Sequence, residues 1–120
     1  MRHWIARTRA RIGWSAEAVG AALREEPSFR AWTLAFVLST GLSIALPLTA
    51  GERGLIAATG LLVLAAELFN TAIEAAVDDI SSEVRPLAKR AKDAACAAVA
   101  LTGLAAAAAW VAAAARLLAA

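Results

Sequence analysis

The sequence predicts an all-α membrane protein: three transmembrane helices and an N-terminal amphipathic surface helix, assembled as a helical bundle. Three observations predict it. The 120 residues are 61% hydrophobic and only 18% charged, where soluble domains run to about 45–50% apolar and roughly 25% charged. Mean hydropathy is +0.65. The apolar residues also gather into three runs, each near the roughly 20 residues that a spanning helix needs.

The length fits one domain, residues 1–120. A net charge of +2 is too small to argue for a nucleic-acid partner. The single cysteine, Cys96, excludes an internal disulfide and a cysteine-rich metal site. The first thirty residues carry Arg2, Arg7, Arg9, Arg11, Arg24 and Arg30 with no apolar core between them, so no secretory signal is expected there.

Residues 2–25 form the first element. Ile5, Ile12, Ala16, Val19 and Leu23 recur at helical spacing, while Trp4, Trp14 and the arginines fall elsewhere around the helix. That pattern suits a helix lying in a membrane interface, with Trp and Arg at headgroup level. Pro27 marks a helix boundary. Residues 31–51 carry no charge and predict the first span, with Glu52 and Arg53 as a short turn. Residues 54–77 predict the second span. A polar stretch over 78–93 leads to the third span, residues 94–115, whose many alanines favour helix and close helix packing.

Orientation follows the basic residues. The N-terminal region and the 78–93 stretch (Arg85, Lys89, Arg90, Lys92) are rich in them; the 52–53 turn has only Arg53 and the tail only Arg116. The positive-inside rule therefore places the N-terminus in the cytoplasm and the C-terminus outside.

The second span carries Glu67, Asn70, Thr71, Glu74 and Asp78. At about 100° per residue they fall within an arc of roughly 100°, one polar stripe. A charged side chain at mid-membrane costs at least about 2.5–3.5 kcal/mol on insertion scales, so such residues are functional candidates. Polar bonding between helices is the structural explanation. The chemical one is stronger for a stripe that opens toward the cytoplasm. Clustered carboxylates attract divalent cations, and Mg²⁺ takes one or two of them together with phosphate oxygens. A neighbouring carboxylate can serve as general base. Glu26 and Lys92 lie at the same interface and offer a further ligand and a phosphate contact. These are parts of a phosphoryl-transfer site, without a Walker-type loop or a kinase glycine loop. Asp78 either orients Lys92 or faces water.

The run Glu67, Asn70-Thr71-Ala72-Ile73-Glu74 and Asp78, then Glu83 and Ala91-Lys92-Asp93, resembles the signature of the small bacterial integral-membrane diacylglycerol kinases. Arg7, Gly13, Ser15, Gly20, Leu23, Glu26, Phe29 and Arg30 match that family at its spacing, so the resemblance covers almost the whole chain. It implies a homotrimer in the bacterial inner membrane that transfers the ATP γ-phosphate to diacylglycerol, giving phosphatidic acid. It implies Glu67 as the catalytic base with Asn70 as its support, and Glu26 and Glu74 as ligands of the Mg²⁺ that accompanies ATP. Arg7, Trp14, Glu26, Glu74, Glu83, Arg85, Lys92 and Asp93 resemble nucleotide-binding positions. Arg7, Arg11, Ser15, Phe29, Arg30, Arg53, Glu67, Cys96 and Trp110 resemble lipid-substrate positions.

The sequence departs from the family pattern at Ala31-Trp32, where Gln-Glu is common, and at Pro86, where glutamate is common. Trp14 replaces a Tyr-like aromatic, and Cys96 a small polar residue. Undecaprenol kinases of the same family share the motif and are the alternative enzyme. A membrane proteolipid or scaffold would account for one intramembrane acid, but not for Glu74, Lys92 and Asp93 together.

Overall fold

The computed structural model describes residues 1–120, apart from the side chain of Arg2. The protein is all-helical: α1 (Arg2–Glu25), α2 (Pro27–Ala45), α3 (Ala50–Ile80) and α4 (Pro86–Ala119). Two of these, α3 and α4, are long and apolar enough to cross a membrane.

α1 ends where Glu26 turns extended, at φ −106° and ψ 105°, and Pro27 opens α2 at a position that needs no N–H donor. Arg30 closes the joint. Its Nη1 donates to the carbonyls of Leu23 and Arg24, two of the orphan acceptors at the α1 terminus.

α2 stops at Ala45, short of the span expected over 31–51. Leu46 precedes Pro47 and is extended (φ −90°, ψ 155°), as residues before proline are. The turn is Leu46–Thr49, and Glu52 and Arg53 belong to the first turn of α3. Thr49 caps that helix with a reciprocal box: Glu52 N donates to Thr49 Oγ1, and Thr49 N donates to Glu52 Oε2 at 2.7 Å. The polar 78–93 stretch is likewise mostly helix. Only residues 81–85 are non-helical; Asp78 to Ile80 end α3, and Pro86 to Asp93 are the first two turns of α4.

α3 packs most extensively on α4 and next on α2, while α1 meets chiefly α2. The molecule measures 55 × 45 × 24 Å. The longest dimension matches α4, about 51 Å at 1.5 Å per residue. Three aligned helices about 8–10 Å apart do not reach 45 Å across, so α1 projects sideways from the bundle.

The buried core is small and lies at the end remote from α1: Leu48, Ile56, Ala109 and Ala113, with Leu46, Trp110 and Leu117 against it. Above it, α2 beds its aromatics on glycines. A Cβ on Gly60 would stand 2.6 Å from Phe36, and one on Gly103 3.2 Å from Trp32. Arg116 clamps this end, donating to Glu52 and to the Pro47 carbonyl. That bond, aided by the Thr49 amide, holds the Glu52 carboxyl down at about 2 from its ordinary 4.5. Leu34, Leu38, Leu42, Leu61, Leu62 and Leu101 are exposed, an outer surface suited to lipid or to other helices.

Candidate functional site

The stripe read from the sequence lies on α3, and its members differ sharply in environment. Glu67 is 5% exposed, the only buried charged residue among those described. Burying a carboxylate requires a partner. Ser28 Oγ supplies it, donating to Glu67 Oε2 at 3.0 Å from the first turn of α2. Ser28 is absent from the sequence-derived candidates. It lies 39 positions away, and no local pattern links the two. Phe29, buried beside Ser28 in sequence, is 3% exposed.

One turn further, Asn70 Nδ2 donates to Glu74 Oε1 at 3.2 Å. The Asn70 Oδ1 is buried and has no partner, so this amide retains an unused acceptor. Glu74 itself is exposed. A cleft of about 300 Å³ separates the end of α1 from this part of α3, with Glu25 and Glu26 on one wall and Thr71 and Ala75 on the other. Glu26 lines this cleft, whereas Glu74, on the same segment of α3, is not among its lining residues.

A second hollow, about 210 Å³, lies where α3 hands over to α4. It gathers Asp78, Glu83, Arg85, Lys89, Lys92 and Asp93. Four of these, Glu83, Arg85, Lys92 and Asp93, are the nucleotide positions expected beyond the stripe, and they do come together. Lys92 Nζ donates to Asp78 Oδ1 at 2.6 Å, and Lys89 pairs with Asp93 in the next turn of α4. Arg85 reaches back to the Val77 carbonyl with Nη2, at 3.5 Å, while its Nε is buried without a partner.

Arg7, Arg11 and Trp14 share one side of α1 around a niche of about 250 Å³. Ser15, beside them, donates to the Arg11 carbonyl of its own helix. Arg30 is spent on the α1 terminus, and Cys96 is exposed on α4. Two expected positions lie far from this end. Arg53 donates to the Ser43 and Leu46 carbonyls, about 21 Å along α3 from Glu67 by helical rise. Trp110 donates from Nε1 to Ser39 at 2.7 Å and lines an apolar cavity of about 330 Å³ with Trp32, Phe36 and Gly60.

No three His, Cys, Asp or Glu side chains converge on a metal-sized site among the described residues. A full protein cage for a cation is therefore not built within one chain. The donor set fits Mg²⁺ in its other habit, held by one or two carboxylates and completed by phosphate oxygens and water.

Comparison with known proteins shows the family. Residues 13–114 match the prokaryotic diacylglycerol kinase family. A diacylglycerol kinase of Pseudomonas aeruginosa is 44% identical over 81 residues, covering 68% of this chain and 66% of that protein. The diacylglycerol kinase of Escherichia coli is 37% identical over 98 residues, covering 82% of this chain and 80% of its own. With a match running through all four helices, the chain belongs to the prokaryotic diacylglycerol kinase family.

Proposed function

We propose that this chain, a lipid kinase by family, is an ATP-dependent diacylglycerol kinase that works at the membrane–cytoplasm interface. The observation that carries the reading is Glu67: a buried carboxylate held by Ser28, with cations gathered further along the same helix end. The lipid hydroxyl approaches Glu67 from the bilayer. Its oxygen bonds to the γ-phosphorus of ATP, the bond from phosphorus to the ADP oxygen breaks, and Glu67 takes the hydroxyl proton. The products are phosphatidic acid and ADP.

Asn70 supports Glu74 through their hydrogen bond. Glu74 and Glu26 would hold Mg²⁺, which when bound neutralises charge on the phosphates. Lys92 and Arg85 would contact the nucleotide phosphates, Glu83 and Asp93 other parts of the nucleotide, and Arg7 and Trp14 of α1 would cover it. Phe29, Arg30, Arg11, Ser15 and Cys96 line the lipid side. Trp110 lies deeper, where acyl chains would reach, and Arg53 lies at the opposite end of α3 from Glu67. Most of the rate enhancement in such a site comes from positioning and electrostatics.

In this reading residues 31–51 (α2 with the turn that follows it), 54–77 of α3 and 94–115 of α4 cross the bacterial inner membrane. The N-terminus and the site face the cytoplasm, and the C-terminus faces outward. Three copies form a trimer whose contacts use the outward helix faces. The basic residues of α1 and of 85–92 support the orientation.

The test is phosphate transfer from MgATP in mixed micelles, with diacylglycerol and a polyprenyl alcohol as separate acceptors. Transfer to diacylglycerol is expected. Transfer to the polyprenyl alcohol alone would move the substrate assignment, and transfer to neither would end the kinase reading.

A further inference from the structure

We infer that Asp78 is a positioning residue for Lys92, holding its ammonium ready at the mouth of the phosphate hollow until a nucleotide displaces it. The inference rests on the kinase reading above and deepens it.

The location of Asp78 is poor for stability. It lies in the last turn of α3, beside Asp79, where the helix dipole is negative and no basic residue balances it. A cation would serve the helix better there. The compensation comes from α4: Lys92 reaches across from 14 residues on and donates to Asp78 Oδ1 at 2.6 Å. Lysine is a point charge on a flexible stem and has no orientation of its own. The carboxylate gives it one.

The pair is also built to open. The Lys92 and Asp78 side chains are 37% and 57% exposed, and ion pairs that solvent reaches hold only weakly. The hollow beside them carries Arg85 and Lys89 as well, and the buried Arg85 Nε has no partner. A triphosphate entering there offers oxygens of higher charge than a carboxylate, and Lys92 exchanges Asp78 for them. Asp78 then stays alongside and limits where the ammonium can swing. A purely structural ion pair would need neither the unpaired guanidinium nitrogen nor the hollow.

The test is a double-mutant cycle of Asp78→Asn and Lys92→Gln, assayed with MgATP and diacylglycerol in mixed micelles. Single-turnover rates keep the slow background measurable, and MgATP-induced shifts in thermal unfolding report binding. Asp78→Asn is expected to lower kcat about tenfold with KM for ATP no higher than in the parent, the signature of lost positioning. In the Lys92→Gln background the same change should alter the rate less than about twofold, because the two act as a unit. Asp78→Glu should recover part of the loss and replaces Asp78→Asn in the cycle should that variant fail to fold.

An equal factor in both backgrounds would overturn the inference, as would an Asp78→Asn variant with full kcat and only a lowered unfolding temperature. A parent protein that neither transfers phosphate nor responds to MgATP would instead sink the kinase reading, and this inference with it.

Discussion

Ser28 and Glu67 are joined by a 3.0 Å hydrogen bond that ties the first turn of α2 to the one buried carboxylate of α3. Glu67 cannot reach bulk water at 5% exposure, so losing this donor leaves a buried acceptor unsatisfied. That costs about 1–3 kcal/mol, more when the group is charged. Ser28→Ala should therefore lower the unfolding temperature in detergent and also slow phosphate transfer. Ser28→Thr keeps the hydroxyl and should retain most of both. An alanine variant matching the parent in stability and turnover would show that the bond carries neither.

Glu67→Gln separates chemistry from packing. The glutamine carbonyl still accepts from Ser28, so folding should change little. Loss of a general base typically costs about 10²–10⁴-fold, and turnover should fall in that range. Glu74→Gln should act differently, raising the Mg²⁺ concentration needed for half-maximal rate. A Glu74→Gln enzyme with the parent's Mg²⁺ dependence would remove Glu74 from the metal.

Much of this arrangement is legible in the sequence, and the rest is hidden for physical reasons. The polar stripe on α3 follows from spacing alone, because helical geometry turns a five-position pattern into one face. The hollow of Glu83, Arg85, Lys92 and Asp93 is short-range, built on a tight turn between two helices, and is anticipated by the resemblance of those positions to a family motif. Ser28 is not legible, since its role depends on how α2 meets α3. The turn at Leu46–Thr49 was within reach: Pro47 interrupts the apolar run, and Thr49 with Glu52 spells a capping box. Reading 31–51 as one uncharged run hides it, because hydropathy does not register a proline's missing donor. Trp110 is half legible. Its place near the far end of the third span follows from sequence, but its hydrogen bond to Ser39, 71 positions away, does not.

The two glycine seats are expected to respond unequally to alanine. At Gly60 a Cβ would stand 2.6 Å from Phe36 Cδ2 and 3.2 Å from Cε2. The ring must move, and overpacking of this kind costs about 1–3 kcal/mol. Alanine's better helix propensity returns about 1 kcal/mol, too little to reverse the sign in most of that range. At Gly103 the nearest atom is Trp32 Cη2 at 3.2 Å, the far end of a side chain that needs to give only slightly. Gly103→Ala should be near neutral or mildly stabilising, and Gly60→Ala destabilising, by thermal unfolding in the same detergent. The reverse order would mean that Phe36 is not seated on Gly60 as described.

At the opposite end, the Glu52–Arg116 pair makes stability depend on pH in a defined window. The Arg116 bond, with the Thr49 amide, lowers the Glu52 carboxyl from 4.5 to about 2. Glu52 precedes the apolar run that starts at Gly54, so it titrates from the water side. Its acidity is greater in the folded chain than in the unfolded one. The folded state therefore gains from ionised Glu52 above about pH 4.5, and that gain drains away as pH falls toward 2. Glu52→Gln is the matched control, because glutamine still completes the capping box with Thr49 while carrying no charge. At pH 7 the parent should unfold at a higher temperature than Glu52→Gln. The gap should narrow below about pH 4.5 and close near pH 2. Arg116→Ala should remove most of the pH-dependent part of that gap, since the arginine is its main cause, and leave the part due to the Thr49 amide. A difference between parent and Glu52→Gln that stays constant from pH 7 to pH 2 would mean that the pair is not formed in solution.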